Sequence, residues 1–461
     1  MKHVHLIGIG GTGLSSIARV LIEMGYTVSG SDRTDSAQLN DLRQIGVTVY
    51  VSHHASQVAE ADLVIRSSAI PDDNPEVQAA LAQNIRVLKR NEFFNEFLRD
   101  RQMIAVAGTH GKTTTTAMIA WMLTRLGLEP GFIIGGVARN LGVSARAGKG
   151  APFVIEADEY DYMFHGLHPT FAVITMVEHD HPDCFPTPAL YLDAFRGFVQ
   201  NIVPNGSLIV CKDDPGAAAM ALSVPPHAQS VTYGFERSAL YRAEKRTMTS
   251  TGSHFYLINE CATHVMPLAE VKLQLTGEHV IRDALAALTV AHRMGLPMQA
   301  AADALGEFVG TGRRFEVIGE AAGMVFIDDY AHHPTEIQAT LAAARQRYPD
   351  RRIWAVWQPH TFSRTHALEE RFASSFDQAD QVIVTAIYAA RETNPGYSAD
   401  AVVRRMHSKN TRYVPTLAGV SKTLLAEMQP GDVLLVMSAG DANEITRKVY
   451  DAMHEREAHL G

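Results

Sequence analysis

Cysteine is scarce in this sequence: Cys184, Cys211 and Cys261 are the only three among 461 residues, with no Cys-x-x-Cys spacing. An odd number so spaced argues against a disulfide framework and a cysteine-based zinc site, and suits a reducing compartment. Long apolar runs are missing too; none reaches the roughly 18 residues of a membrane-spanning helix. The opening Met1-Lys2-His3-Val4-His5-Leu6-Ile7-Gly8 turns into glycines before a signal-peptide stretch can form. The expected location is therefore the cytoplasm, with no membrane partner. There is no excess of basic charge. Lys and Arg number 41 against 50 Asp and Glu, a net charge of -9, so no nucleic-acid partner is expected. A nucleotide substrate remains compatible, because local amides and a few cations hold phosphates. No repeat of fixed period and no low-complexity segment occurs, and oligomeric state has no signature in the sequence.

What is present is an ordinary globular balance, 46% hydrophobic and 20% charged, over a length that suggests about two to four domains. Strand-like and helix-like segments alternate from the start: strands are predicted at residues 4–9, 27–31 and 63–67, and a helix at 12–24. Such alternation implies a parallel sheet with crossover helices. The charged stretch at 98–102 interrupts it, and a new strand is predicted at 103–107. A second block carries strands at 153–157, 171–175 and 207–210, an antiparallel region across about 229–275, and helices at 278–294 and 297–308. Gly310-Thr311-Gly312 reads as a hinge. Alternation then restarts, with strands at 324–327, 353–357, 381–385 and 433–437. The fold class is α/β in three domains: Rossmann-like over 1–102, P-loop ATPase-like with a small antiparallel sheet over 103–312, and Rossmann-like over 313–461.

The strongest chemical signal is Gly108-Thr109-His110-Gly111-Lys112-Thr113-Thr114-Thr115-Thr116, between a predicted strand and helix. Backbone amides of a glycine-rich turn wrap a polyphosphate, and the helix N-terminus adds partial positive charge. Lys112 suits the β- and γ-phosphates, and the Thr113 hydroxyl suits Mg²⁺. Val106 stands where the longer loop motif has glycine, leaving the short Gly-x-x-Gly-Lys-Thr form. The bland alternative is a capped helix start with surface threonines, but a β-branched run is poor helix propensity to keep there without a function.

Glu156-Ala157-Asp158-Glu159 and Glu178-His179-Asp180-His181 each follow a predicted strand, at the edge where open α/β sheets bind ligands. Carboxylates beside a phosphate loop suit Mg²⁺, which takes oxygen ligands. A zinc reading of His179, His181 and Cys184 stands as a minor alternative. Gly8-x-Gly10-x-x-Gly13, with Asp32 ending the next strand, fits a dinucleotide fingerprint, so an NAD-dependent dehydrogenase is a rival reading. The same physics serves any diphosphate. Asp328-Asp329-Tyr330-Ala331-His332-His333-Pro334-Thr335-Glu336 leads into a helix with Pro334 in its first turn. It reads equally as a capped helix start or as a binding site.

Taken together and in this order, these segments resemble the Mur ligase family. Further matches are Arg313-Arg314-Phe315, Gln358-Pro359-His360 with Ser363-Arg364-Thr365, and Ala439-Gly440-Asp441. The resemblance implies an ATP-dependent amide-forming ligase of cell-wall synthesis that uses two Mg²⁺ ions. It implies ATP on Gly108, Thr109, His110, Gly111, Lys112, Thr113, Thr114, His279 and Arg314. Lys112, Glu156 and His181 are the implied catalytic groups, and Thr113, Glu156 and His181 the metal ligands. A UDP-sugar, UDP-N-acetylmuramate, would lie on Gly10, Gly11, Thr12, Gly13, Asp32 and Ser67. The incoming amine would meet Tyr330 and His332, with Arg364 as a bidentate clamp for its carboxylate. Ile387-Tyr388-Ala389-Ala390-Arg391-Glu392 resembles the member that adds L-alanine. Tyr160 and Val143-Ser144-Ala145 lean towards a relative that attaches a tripeptide. Met176, Val280 and Asp283 stand where the family has asparagine, which leaves the adenine-side contacts open.

Overall fold

The computed structural model describes residues 2–260, 267–390, 392–406 and 410–460; Met1, Cys261 and Arg391, named above, lie outside the described residues. Among the described residues three sheets follow one another along the chain. The first has five parallel strands in the order Thr48–Val51, Thr27–Asp32, His3–Ile7, Leu63–Arg66, Arg86–Lys89. Strand order reverses at His3–Ile7, so the crevice above its end is a topological switch point, where such sheets bind ligands. The helix that leaves this crevice, Thr12–Glu23, buries Leu14, Ile17, Ala18, Val20 and Leu21, a stripe at helical spacing packed on the sheet.

The second sheet has ten strands. Its parallel centre is Gln229–Gly234, Ser207–Cys211, Phe171–Ile174, Gln102–Ala107, Pro152–Glu156 and Gly131–Ile133 in spatial order. Strands such as Ser207–Cys211 are buried along their whole length, as expected where helices cover both faces. The predicted antiparallel region holds for Tyr241–Thr249, Gly252–Asn259 and Ala269–Leu273, which continue this same sheet. Gln229–Gly234 differs: it is parallel to both neighbours. Alternation of polar and apolar residues reports which face is buried, not the direction of pairing, so the sequence pattern did not separate the two cases.

The third sheet runs Glu316–Ala321, Met324–Asp329, Val433–Ser438, Ile353–Gln358, Gln381–Val384, Thr411–Tyr413, with the first pair antiparallel and the rest parallel. Its outer strands, Glu316–Ala321 and Thr411–Tyr413, are half-buried and carry little apolar signal, which is why sequence reading passed over them. One apolar core runs continuously from the first sheet into the second, a smaller cluster around Ile7, Val58, Val64 and Val77 belongs to the first sheet alone, and the third sheet has two clusters of its own. Gly310–Gly312, predicted as a hinge, is tacked to the second unit: Gly310 O accepts from Arg139 N at 3.1 Å and Gly312 N donates to Val137 O at 2.9 Å. The irregular backbone comes just after it, where Arg313 and Phe315 have φ of 56° and 46°. No helix among the described residues is long and apolar enough to cross a membrane.

Candidate active site

The phosphate-loop sequence closes a turn between Gln102–Ala107 and the helix Lys112–Arg125. Gly111 caps that helix at φ 82°, and a Cβ there would stand 2.8 Å from Asp283 Oδ1, so both backbone angle and space call for glycine. Lys112 folds back over the turn, donating to Gly108 O at 2.5 Å and lying 2.9 Å from Glu159 Oε2. Glu159 is fully buried and also accepts from Tyr191 OH at 3.1 Å. Burial alone would lower the Lys112 pKa, but Glu159 and Glu156 outweigh it and hold the ammonium above its ordinary value.

Thr113 Oγ1 donates to Glu156 Oε1 at 2.9 Å, and Gly135 N donates to Glu156 Oε2 at 2.6 Å. Burial nonetheless pushes the Glu156 carboxyl up, against the pull of Lys112. A half-buried carboxylate with a hydroxyl beside it and too little positive charge fits a hard divalent cation. His181, the third predicted metal ligand, lies instead beside Glu159, with Nε2 3.6 Å from Glu159 Oε1, and has a left-handed φ of 53°. The predicted set therefore divides into Thr113 with Glu156 and His181 with Glu159. The zinc alternative fails among the described residues, since His179 Nε2 is bonded to Phe185 O at 2.7 Å.

Two loop residues are fixed by side contacts, Thr109 within the second unit and His110 across to the third. Thr109 N donates to Met176 O at 2.8 Å and its hydroxyl donates to Glu178 O at 2.9 Å. His110 bonds Glu178 Oε1 through Nε2 at 2.7 Å and faces Glu336 Oε1 with Nδ1 at 3.3 Å. His333 Nδ1 is 3.2 Å from Glu178 Oε1, and Arg371 Nη2 donates to Glu178 Oε2 at 2.9 Å. Burial opposes charge on His110, but Glu336 and Glu178 outweigh it and raise its pKa to about 9. His110, Glu178 and His333 also form the one compact metal-capable group among the described residues. With Arg371 and a protonated His110 on its carboxylate, that group is an ion-pair network. Glu178, His333, Glu336 and Arg371 had no assigned role in the sequence reading, because the partners that join them into this network lie 68 to 226 residues away.

Beside the loop, a cleft enclosing about 1180 Å³ of solvent-open space is lined by His110, Gly111, Thr114, His279, Asp283 and Arg314, among others. Thus His279 and Arg314 are brought to the loop from the second and third units. Burial, helped by Arg282 and Arg314, lowers the His279 pKa to about 4, so its ring is neutral. Asp283 accepts from Thr115 Oγ1 at 3.0 Å, and burial raises its carboxyl to about 7. Met176 and Val280 line the same cleft.

Tyr330 and His332 lie edge to face with ring centroids 5.5 Å apart, and His332 is 5.8 Å from His360. Burial lowers His332 and His360 to about 3, leaving both imidazoles neutral. Arg364 joins this cluster but is not a vacant clamp. Its Nε and Nη2 donate to Asp180 Oδ1 and Oδ2 at 2.7 and 3.2 Å, and both side chains are 4% exposed. The planar fork that suits a substrate carboxylate suits a protein carboxylate equally, and here Asp180 takes it. Nη1 remains beside His360 Nδ1 at 3.1 Å. Tyr160 packs edge-on against His181 at 5.3 Å, while residues 143–145 lead into the edge strand Ala145–Arg146 of the second sheet.

In the first unit, Gly10 N donates to Asp32 Oδ2 at 2.9 Å and Arg33 N to Asp32 Oδ1 at 2.7 Å, so Asp32 braces the glycine turn. Gly11 N closes the turn on Gly8 O at 3.2 Å, Thr12 begins the helix, and Ser67 packs against Gly8.

The chain matches three family domains in order: Mur ligase family, catalytic domain, over 3–102; Mur ligase middle domain over 106–291; and Mur ligase, glutamate ligase domain, over 313–440. It is 41% identical to a UDP-N-acetylmuramate–L-alanine ligase of Roseiflexus sp., across 98% of this chain and 100% of that one. A Chloroflexus aggregans protein of the same name is 42% identical across 97% and 98%. The crystal structure of UDP-N-acetylmuramate–alanine ligase from Thermotoga maritima superposes with a TM-score of 0.82 at 26% identity, covering 99% and 100%. A murein peptide ligase from Psychrobacter arcticus gives 0.73 at 26% identity, covering 98% and 99%.

Proposed function

The chain belongs to the Mur ligase family, and from that premise we propose that it joins L-alanine to the lactyl carboxylate of UDP-N-acetylmuramate, using ATP. It is an ATP-dependent amide-forming ligase, and the dehydrogenase reading of the first glycine turn falls with family membership. We take residues 1–102 as the nucleotide-sugar unit, 103–312 as the ATP unit and 313–461 as the amine unit.

The observation that carries the reading is the meeting of Lys112, Glu156 and His181 with Tyr330, His332 and His360 across one seam, tied by the Asp180–Arg364 pair. A lactyl oxygen attacks the γ-phosphorus, forming an O–P bond while ADP leaves. The alanine nitrogen then attacks the acyl carbon, forming the amide while phosphate leaves with the C–O electron pair. The proton lost by nitrogen passes to solvent or a neighbouring base. The first step brings anions together, so Lys112 and the loop amides stabilise the charge that develops on the phosphate. Magnesium held by Thr113 and Glu156, and a second ion at His181, would supply Lewis-acid stabilisation there. Glu159 holds the Lys112 ammonium in place. The neutral imidazoles of His332 and His360 add no positive charge of their own beside the incoming amine, and the Arg364 guanidinium there is already paired with Asp180. Closing the seam excludes water from the acyl phosphate.

A tripeptide-adding activity on the same nucleotide sugar is the second reading, favoured by Tyr160 at the His181 turn and by the likeness to the murein peptide ligase. Incubation with ATP, Mg²⁺, UDP-N-acetylmuramate and L-alanine tests the proposal. It should yield ADP and the alanyl product by mass; ADP formation indifferent to the sugar nucleotide would overturn it.

A further inference from the structure

The loop that carries Tyr388 and Glu392 has no task in the reaction as written above, yet it holds the turn on which His360 and Arg364 sit. That turn is strained. Thr361 has a φ of 65°, a left-handed angle that a β-branched side chain disfavours. Such an angle persists only where the surrounding structure imposes it, and it points to a geometry the protein needs.

Two sets of contacts impose it. Thr361 N donates to Tyr388 O at 2.9 Å and Tyr388 N donates to Pro359 O at 2.8 Å, lacing turn to loop. The Tyr388 ring stacks on His360, with centroids 5.8 Å apart and planes 18° from parallel. The Glu392 carboxylate closes the far end. Its Oε2 accepts from Phe362 N at 2.5 Å and from Ser363 N at 3.0 Å, and its Oε1 accepts from the Ser363 hydroxyl. These two amides open the helix Phe362–Ala367 and have no acceptor within it. The cap residue Thr361 takes the next amide, Arg364 N, at 3.4 Å. A helix of six residues does not hold itself in water. It carries Arg364, whose Nε and Nη2 are committed to Asp180 and whose Nη1 lies beside His360 Nδ1. A carboxylate that fixes the first turn of this helix therefore fixes the guanidinium, and through it the imidazole of His360.

We propose that Glu392 is a positioning residue for the amine-binding step: by pinning Phe362 and Ser363 to the loop, it keeps His360 and Arg364 in the geometry that receives the incoming amine. This rests on the reading above that the third unit takes the amine. Glu392 acts through the reach of its carboxylate to two backbone amides, not through a negative charge offered to the ammonium form of the substrate, and the test separates the two.

Steady-state kinetics on wild type, Glu392→Ala, Glu392→Asp and Glu392→Gln, with each substrate varied in turn, is the experiment. Loss of charge-assisted hydrogen bonds of this kind corresponds to a change of about 10- to 100-fold. Glu392→Ala should raise the KM for L-alanine by that factor and leave the KM values for ATP and UDP-N-acetylmuramate close to those of wild type. Glutamine keeps the reach, since its amide oxygen can accept from both N–H groups; aspartate keeps the charge but is a methylene shorter. Glu392→Gln should therefore lie nearer wild type than Glu392→Asp, and this pair carries the comparison if Glu392→Ala does not fold. The reverse order would make Glu392 a charge for the ammonium and overturn the assignment. So would an L-alanine KM equal to wild type in folded Glu392→Ala, or a rise in all three KM values together, which a general loss of structure produces. If wild type turns over the tripeptide in place of L-alanine, the same order is read on the tripeptide's KM. Wild-type protein that turns over neither amine overturns the proposed function, and this inference with it.

Discussion

Lys112 has its counter-charges within its own unit: Glu159 Oε2 at 2.9 Å and, through the field of the site, Glu156. The nucleotide-sugar turn at Gly8–Gly13 belongs to a different sheet, so the two functions should separate on mutation. Lys112→Ala is expected to lower turnover by about two to four orders of magnitude. UDP affinity should remain close to that of wild type. Steady-state rates and UDP calorimetry on the same preparation check both halves, and near-normal turnover would remove this loop from the chemistry. Lys112, Thr113 and Glu156 were legible in the sequence because loop, strand end and acid motif carry their own spacing. Glu159 as the lysine's holder was not, since its place against Tyr191 follows from packing 32 residues away.

At the scale of elements, the loop and the strand ends after Phe171–Ile174, Met324–Asp329 and Ile353–Gln358 meet in two ionic contacts. In one, His110 is flanked by Glu178 and Glu336 and has its pKa raised to about 9 by them against burial. A raised folded-state pKa means the stabilisation is complete below the unfolded value of about 6.5 and is lost as pH rises through 9. The melting-temperature difference between wild type and His110→Asn should therefore shrink between pH 7 and pH 9.5. A difference constant over that window would mean the ring is neutral throughout. In the other contact, removing Arg364 strands the buried Asp180 carboxylate, at a cost of about 3–5 kcal/mol. Thermal unfolding should show Arg364→Ala strongly destabilised and the double variant with Asp180→Asn less so than the sum of the two singles. Strict additivity would deny the pair. The sequence marked Asp180 and Arg364 separately, one as a motif partner and one as a clamp. Their union across 184 residues is a tertiary fact that spacing does not encode.

At the scale of the molecule, the three sheets lie in chain order, and their candidate functional groups converge on the crevices between them. The glycine turn, the phosphate loop and the acid motifs announced the first two crevices. The outer strands Glu316–Ala321 and Thr411–Tyr413 and the parallel pairing of Gln229–Gly234 depended on sheet edges that periodicity does not reach. What the assembled crevice offers is a nucleotide-sugar turn at one end and, at the other, the Tyr330, His332 and His360 rings beside an arginine already engaged by the protein. The relatives at 41% and 42% identity are named for L-alanine, which favours a single amino acid over a tripeptide, whose terminal carboxylates lie many ångströms from the reacting amine. The most direct measurement is the rate of phosphate release from ATP and UDP-N-acetylmuramate with L-alanine or with L-alanyl-γ-D-glutamyl-diaminopimelate, side by side at equal concentration. Release should be much faster with L-alanine and should require the sugar nucleotide; faster release with the tripeptide would contradict the account.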